Sequence, residues 1–193
     1  MKAVMRIYTR RGDRGWTGLL RGGRVRKDHP RISALGAIDE LNASLGVARW
    51  FVRSRRSAEI LAEIQRDLFD IGAHLAGDAP RSDGRSVARL ALRVKAFETE
   101  IDLRQGSMPR LASFVVPGEC PGSAFLHLAR AVSRRAERTV VSCAHGARVH
   151  PGILVYLNRL SDLLFLLARD ECVSSRRVRR QARTRPERRS RLR

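Results

Sequence analysis

Apolar positions recur at intervals of three and four residues in five separate stretches of the chain, the spacing that lines one face of an α-helix. The first stretch predicts a helix over 33–52, with Ile32, Leu35, Ile38, Leu41, Leu45 and Ala48 inward and Ser33 as its cap. The second, over 57–75, carries Leu61, Ile64, Leu68, Ile71 and Leu75. The third, over 86–103, carries Val87, Leu90, Val94, Phe97 and Ile101. The fourth, over 123–141, turns Phe125, Leu128, Val132 and Ala136 inward. The fifth, over 151–172, opens on Pro151, which suits a first helical turn, and carries Leu154, Leu157, Leu160, Leu164 and Leu167. Leu163, Phe165 and Leu166 widen that last stripe beyond one face, as a central helix or a subunit interface requires. Five amphipathic helices with short connections predict an all-α fold, an antiparallel five-helix bundle.

The segments between these stretches are read by their breakers. Residues 1–31 are basic and rich in glycine, with Gly12, Gly15, Gly18, Gly22 and Gly23, and read as a loop apart from a short extended piece over 4–8. A second loop covers 78–84, around Pro80. The connector 104–122 holds the apolar piece Phe114-Val115-Val116, which Pro117-Gly118 ends. Beyond Ser174 too few apolar residues remain to pack. The expected organisation is one helical-bundle domain over 1–173, including its amino-terminal loop, and a disordered basic tail over 174–193.

Composition changes this picture in three ways. Of the 193 residues 43% are hydrophobic and only 5% aromatic, which allows one domain with a mainly aliphatic core. The last twenty residues hold ten Arg against one Glu, a contribution of +9, so the preceding 173 carry the remaining +11 of a formal +20. Such a surface attracts nucleic acid, acidic membrane or a triphosphate, without choosing among them. The tail itself reads as disordered, or as an arm that contacts nucleic acid or membrane. Cys120, Cys143 and Cys172 are odd in number and widely spaced, which argues against a disulfide framework or a zinc site and for small, reduced side chains. The first sixteen residues lack an apolar signal core, and the longest apolar run, over 163–168, is too short to span a bilayer. The expected location is therefore the cytoplasm, with no integral membrane segment.

Certain polar residues need an explanation. In the run from Thr9 to Gly18, closely spaced glycines let backbone N–H groups converge on anionic oxygens, and Arg10, Arg11, Arg14 and Lys27 add charge-assisted donors. Thr9 and Thr17 bring hydroxyls, while Asp13 suits bracing the loop or sitting near a metal. The pattern is not a Walker A sequence, and a flexible basic tail is the competing reading. Asp39, Glu40 and Asn42 interrupt the first helix. Arg130, Arg134 and Arg138 recur every four residues on the fourth helix, with Glu137 beside them, and their mutual repulsion calls for salt bridges or a bound polyphosphate. Asn158 and Asp162 interrupt the apolar fifth helix, where Asn158 suits an adenine or sugar edge or a contact within the bundle, and Asp162 suits an arginine.

Taken together, the motifs resemble one family, the PduO-type ATP:cob(I)alamin adenosyltransferases. They are Tyr8-Thr9-Arg10-Arg11-Gly12-Asp13-Arg14-Gly15, Gly22-Gly23-Arg24-Val25-Arg26-Lys27-Asp28, Gly36-Ala37-Ile38-Asp39-Glu40-Leu41-Asn42 and Phe114-Val115-Val116-Pro117-Gly118. The run from His127 to Arg138 and the run from Tyr156 to Asp162 complete the set, in the family's order, over about residues 6 to 170.

The resemblance implies transfer of the 5′-deoxyadenosyl group from ATP to cob(I)alamin, giving adenosylcobalamin and triphosphate. It implies a homotrimer with active sites between subunits, Mg²⁺ with the triphosphate and no separate metal cage in the protein. It also implies a one-electron reductase, and direct delivery of product to an adenosylcobalamin-dependent enzyme is left open. By the same resemblance Thr9, Arg10, Gly12, Asp13, Gly15, Thr17 and Lys27 belong to the ATP loop. Arg134, Glu137, Arg138 and Asn158 hold the nucleotide, and Asp39 pairs with Arg130 across the subunit boundary. Phe114 covers the lower face of the corrin. Arg11, Leu35 and Glu119 depart from the family pattern, and the arginine-rich tail lies outside it. A basic helical nucleic-acid-binding protein is the alternative from another class.

Overall fold

A computed structural model describes residues 8–20, 23–77, 84–111 and 113–184, with side chains omitted for 84–88 and 176–184. The chain forms β1 (Trp16–Gly18), β2 (Arg24–Arg26), α1 (Pro30–Phe51), α2 (Arg55–Ala76), α3 (Gly84–Ser107), α4 (Pro121–Ala144) and α5 (Pro151–Thr184). The five predicted helices are present. The expected extended piece over 4–7 and the loop over 78–83 fall outside the described residues.

The ends of the helices differ from their predicted positions for local reasons. Pro30 occupies the first turn of α1, so the cap is His29, whose Nδ1 accepts from Arg31 N at 3.1 Å, and not Ser33. Ser54 caps α2 by accepting from Ser57 N at 3.2 Å. On α5 the backbone stays helical to Thr184, well past the apolar stripe that ended the prediction at Cys172. Residues 185–193 lie outside the description.

The core is aliphatic, as the composition requires. Leu41, Leu45, Leu61, Ile64, Leu126, Leu157, Leu160 and Leu163 are fully buried, and α5 lies between α4 and α3 while α1 packs on α2 and α4. On α4 the inward face is Leu126, Ala129, Val132, Ala136, Val140 and Cys143. Leu128 is exposed, contrary to expectation, because at helical pitch it stands off the stripe set by Leu126 and Ala129. Cys120, Cys143 and Cys172 are free and buried.

Helix α5 is longer and more apolar than the uninterrupted run over 163–168 suggested. Residues Pro151–Ser175, 25 in all, are long and apolar enough to cross a membrane by length and composition. Counting only the uninterrupted run missed this. Its stripe of Ile153, Tyr156, Leu157, Leu160, Leu164 and Leu167 is instead buried in the centre of the bundle.

Polar struts fix the packing. Buried Asp67 of α2 accepts from Tyr156 Oη at 3.0 Å and from Arg93 Nε at 2.7 Å, joining α2, α3 and α5. Burial and the Asp67 charge push the Tyr156 phenol well up. Glu171 Oε1 accepts from the backbone N–H groups of Arg53 and Ser54 at 3.1 and 3.3 Å, tying the α1–α2 turn to α5. A Cβ on Gly122 would lie 2.9 Å from the Phe51 carbonyl oxygen, so only glycine lets α4 start against the end of α1.

Candidate active site

The amino-terminal segment is a turn and a hairpin, not a featureless loop. Gly15 N donates to Gly12 O at 3.2 Å and Lys27 N to Gly15 O at 2.8 Å, closing the segment on itself. Gly15 has φ 76°, a conformation that strains residues with a Cβ. A Cβ on Gly12 would stand 3.2 Å from Lys27 Nζ, so the glycine leaves room for that ammonium beside the turn. Strands β1 and β2 pair antiparallel, with Thr17 opposite Val25. Leu20 N donates to Ala76 O at 2.9 Å, and buried Arg31 donates to Gly77 O at 3.2 Å. The hairpin is thereby anchored to the end of α2.

The segment encloses an open cleft of about 720 Å³ lined by Arg10, Arg11, Asp13, Arg14, Trp16 and Arg24. Four guanidinium groups against one carboxylate make it a site for a polyanion. Arg10 has φ 58° and sets its guanidinium 5.6 Å from the centre of the Tyr8 ring. Arg24 donates to the Arg11 carbonyl, bracing the turn. Thr9 is exposed and Thr17 half-buried.

The second part of the site is the outer side of α4 and α5. Arg134 and Arg138 are exposed. Arg130 is half-buried, and its Nε is buried without a hydrogen-bond partner. One turn earlier, both ring nitrogens of buried His127 are also unpartnered, and burial followed by the Arg130 charge pushes its pKa down. The shift favours the neutral imidazole, which adds no positive charge beside the arginine.

Asn158 Nδ2 donates to Glu137 Oε1 at 3.0 Å. Its Oδ1 accepts from Arg159 Nη1 at 2.9 Å, and Arg159 Nε donates to Glu98 Oε1 at 2.9 Å. These contacts join α3, α5 and α4. Arg135 is paired with Glu40 of α1. Neighbouring Asp39 is exposed and makes no hydrogen bond or ion pair among the described residues.

Phe114 stands on the connector between α3 and α4 with its whole ring in solvent, at 102% relative exposure. Val116 is also exposed, and Gly118 turns the chain with φ 114°.

Within one chain the structure brings Glu137 to Asn158 but leaves Asp39 unpaired with Arg130. No residue of α4 or α5 lines the arginine cleft. Among the described residues no group of three or more His, Cys, Asp or Glu is placed to hold a metal. Sequence reasoning missed Trp16 and Arg24 as cleft residues, since their approach depends on the hairpin register. It also missed Glu98, whose hold on Arg159 spans two helices.

Residues 7–171 match the cobalamin adenosyltransferase family. The chain belongs to that family, in its PduO-type ATP:corrinoid branch. It is 40% identical over 167 residues to the corrinoid adenosyltransferase PduO of Salmonella typhimurium, covering 86% of this chain and 50% of that protein. It thus spans about half the length of that relative. With the corrinoid adenosyltransferase of Bacillus subtilis it is 41% identical over 170 residues, covering 86% of each. A solved phenylalanine-to-alanine variant of the Lactobacillus reuteri PduO-type ATP:corrinoid adenosyltransferase, complexed with cobalamin and ATP, superposes with a TM-score of 0.81. The two are 32% identical, and the superposition covers 89% of this chain and 96% of that one. An arginine-to-lysine variant of the Lactobacillus reuteri enzyme, complexed with ATP, gives a TM-score of 0.78 at 31% identity, covering 88% and 96%.

Proposed function

We propose that this chain transfers the 5′-deoxyadenosyl group of ATP to the cobalt of cob(I)alamin, forming adenosylcobalamin and releasing inorganic triphosphate. The carrying observation is the family match over residues 7–171, which takes in the arginine cleft, the α4 strip and Phe114. The related structures that hold ATP and cobalamin support the pair of substrates.

Cobalt(I) is itself a strong nucleophile, so the protein need not supply one. Its electron pair forms the cobalt–carbon bond at C5′ of ATP as the C5′–oxygen bond breaks. The triphosphate leaves with that bonding pair. The protein's work is to hold C5′ in line and to stabilise charge on the departing oxygen. Thr9, Arg10, Gly12, Asp13, Gly15, Thr17 and Lys27 wrap the triphosphate, with Asp13 bracing the loop. Arg134 and Arg138 reach the phosphates from α4, and Asn158, oriented by Glu137, holds the nucleoside. A Mg²⁺ ion bound with ATP would neutralise part of the triphosphate charge.

Phe114 covers the lower axial face of the corrin. An apolar ring there keeps water and the nucleotide base off cobalt(II), which lowers the accepting orbital and lets a one-electron reductase make cobalt(I). The exposure of Phe114 in the single chain supports this role, because a ring that packs on nothing of its own chain is available to a ligand.

The site is assembled between protomers of a homotrimer. Asp39 has no partner among the described residues, and Arg130 keeps a buried Nε without an acceptor there. An Asp39–Arg130 pair between adjacent copies answers both, and brings one copy's arginine cleft to another's α4 strip.

The test is anaerobic incubation with ATP, Mg²⁺ and chemically reduced cob(I)alamin, following the corrinoid spectrum. The wild type gives the adenosylcobalamin spectrum, and Arg134→Ala loses turnover while keeping its assembly. Absence of product with the wild type overturns the reading.

A further inference from the structure

The ten arginines between 176 and 193 lie beyond the family match, which ends at 171, and nothing in the adenosyl transfer uses them. The structure adds one fact that the sequence did not suggest: five of them ride on a continuation of α5. The helix runs without a break from the core to Thr184, and Ser175 is its last described side chain, a buried one. Positions 176, 177, 179, 180 and 183 follow on the same helical backbone. At 3.6 residues per turn, positions 176, 179, 180 and 183 fall within one arc of about 100°.

No carboxylate on the helix balances that arc. No Asp or Glu occurs from Cys172 through Pro186. The two preceding carboxylates are already engaged by the bundle, Asp170 by Arg104 and Glu171 by the backbone of Arg53 and Ser54. Several of the arginine positions are therefore like-charged neighbours at three- and four-residue spacing, which opposes the helix. A helix carrying this repulsion gains most from a ligand that supplies many negative charges at once.

We propose that α5 beyond Ser175 is a nucleic-acid-binding arm in which Arg176, Arg179, Arg180 and Arg183 engage the phosphate backbone of a duplex. Three observations select nucleic acid. The basic residues are all arginine, whose planar fork matches phosphate. An interfacial membrane helix needs a broad apolar face, and residues 176–184 offer only Val178 and Ala182. From Arg176 to Arg183 the backbone rises about 10 Å, a length over which one strand of a duplex carries about three phosphates. Contacts to phosphate carry no sequence information, so binding by this arm is insensitive to base sequence. This proposal does not depend on the transferase reading.

The body of the protein is also basic, so the test reads a difference. Full-length protein and a full-length variant carrying Arg176→Gln, Arg177→Gln, Arg179→Gln, Arg180→Gln and Arg183→Gln are titrated onto labelled 20-base-pair duplexes of DNA and of RNA across a salt series. For the wild type on DNA, the slope of log affinity against log salt is steeper by about 4, since each phosphate neutralised contributes about 0.9. Near 0.1 M salt the variant binds at least 100-fold more weakly, with an unchanged thermal midpoint. A milder variant, Arg180→Gln with Arg183→Gln, loses about half of that slope difference and controls for misfolding. RNA distinguishes the preferred duplex, and a loss on either one supports the arm. Vesicles rich in phosphatidylserine are titrated in parallel. Equal slopes for wild type and variants on both duplexes overturn the proposal, as does a loss seen only with vesicles.

Discussion

Asn158 of α5 donates its amide Nδ2 to Glu137 of α4 at 3.0 Å while its Oδ1 accepts from Arg159 at 2.9 Å. A carboxylate can only accept and a guanidinium can only donate, so these two partners leave the amide a single orientation. Asn158→Ala removes that fixed group from an exposed position. We predict that KM for ATP rises about tenfold, the equivalent of one hydrogen bond of about 1.4 kcal/mol. The urea midpoint stays near that of the wild type. Steady-state kinetics at saturating corrinoid check this, and an unchanged KM removes Asn158 from the nucleotide site.

Phe114 offers a clean separation of function from stability. Its side chain is fully exposed, so Phe114→Ala creates no cavity and alters stability by less than about 0.5 kcal/mol. With cob(II)alamin and a one-electron donor the variant loses most of its turnover. ATP affinity, measured by calorimetry, changes less than twofold. Equal losses in both measurements contradict the placement of this ring beneath the corrin.

Asp39 and Arg130 are predicted to couple between copies. Asp39→Arg and Arg130→Asp each weaken the trimer in analytical ultracentrifugation and reduce turnover. The double variant recovers part of both, because the reversed pair restores the attraction. Additive losses in the double variant rule out direct pairing.

Acid stability depends on two imidazoles, buried His127 and half-buried His74. Burial, then the His150 and Arg31 charges, pushes the His74 pKa down, and burial followed by the Arg130 charge does the same at His127. The unfolded chain therefore binds these protons more readily than the folded one. Stability is full above the ordinary histidine value of about 6.5 and falls as pH drops below it toward the folded pKa values. Each histidine contributes a slope of up to about 1.4 kcal/mol per pH unit in that window. Urea titrations between pH 8 and pH 5 check this, and His127→Phe flattens the decline. A midpoint that is level from pH 7 to pH 5 contradicts it.

The apolar spacing was sufficient to predict the five helices, because each helix must bury one continuous stripe and the spacing records which one. Leu128 shows where that reading fails: two overlapping periodic series run along α4, and only packing chose the one through Leu126 and Ala129. The glycine-rich start signalled a turn but not the hairpin, since pairing Trp16 with Arg26 depends on two short strands that carry no apolar alternation. Arg130, Arg134 and Arg138 were visible as a repeat of four. The contact of Glu137, beside them, with Asn158 was not, because it joins helices whose register is set by the core. The helical continuation to Thr184 was also hidden, since polar sequence gives no stripe to follow.

The most direct test of adenosyl transfer is the phosphorus product. Under strictly oxygen-free conditions, ³¹P NMR follows the phosphorus compounds formed from ATP while the corrinoid spectrum reports the cobalt–carbon bond. Attack at C5′ predicts one inorganic triphosphate for each adenosylcobalamin formed. Formation of ADP and phosphate, or phosphorus turnover without alkylated cobalt, contradicts it.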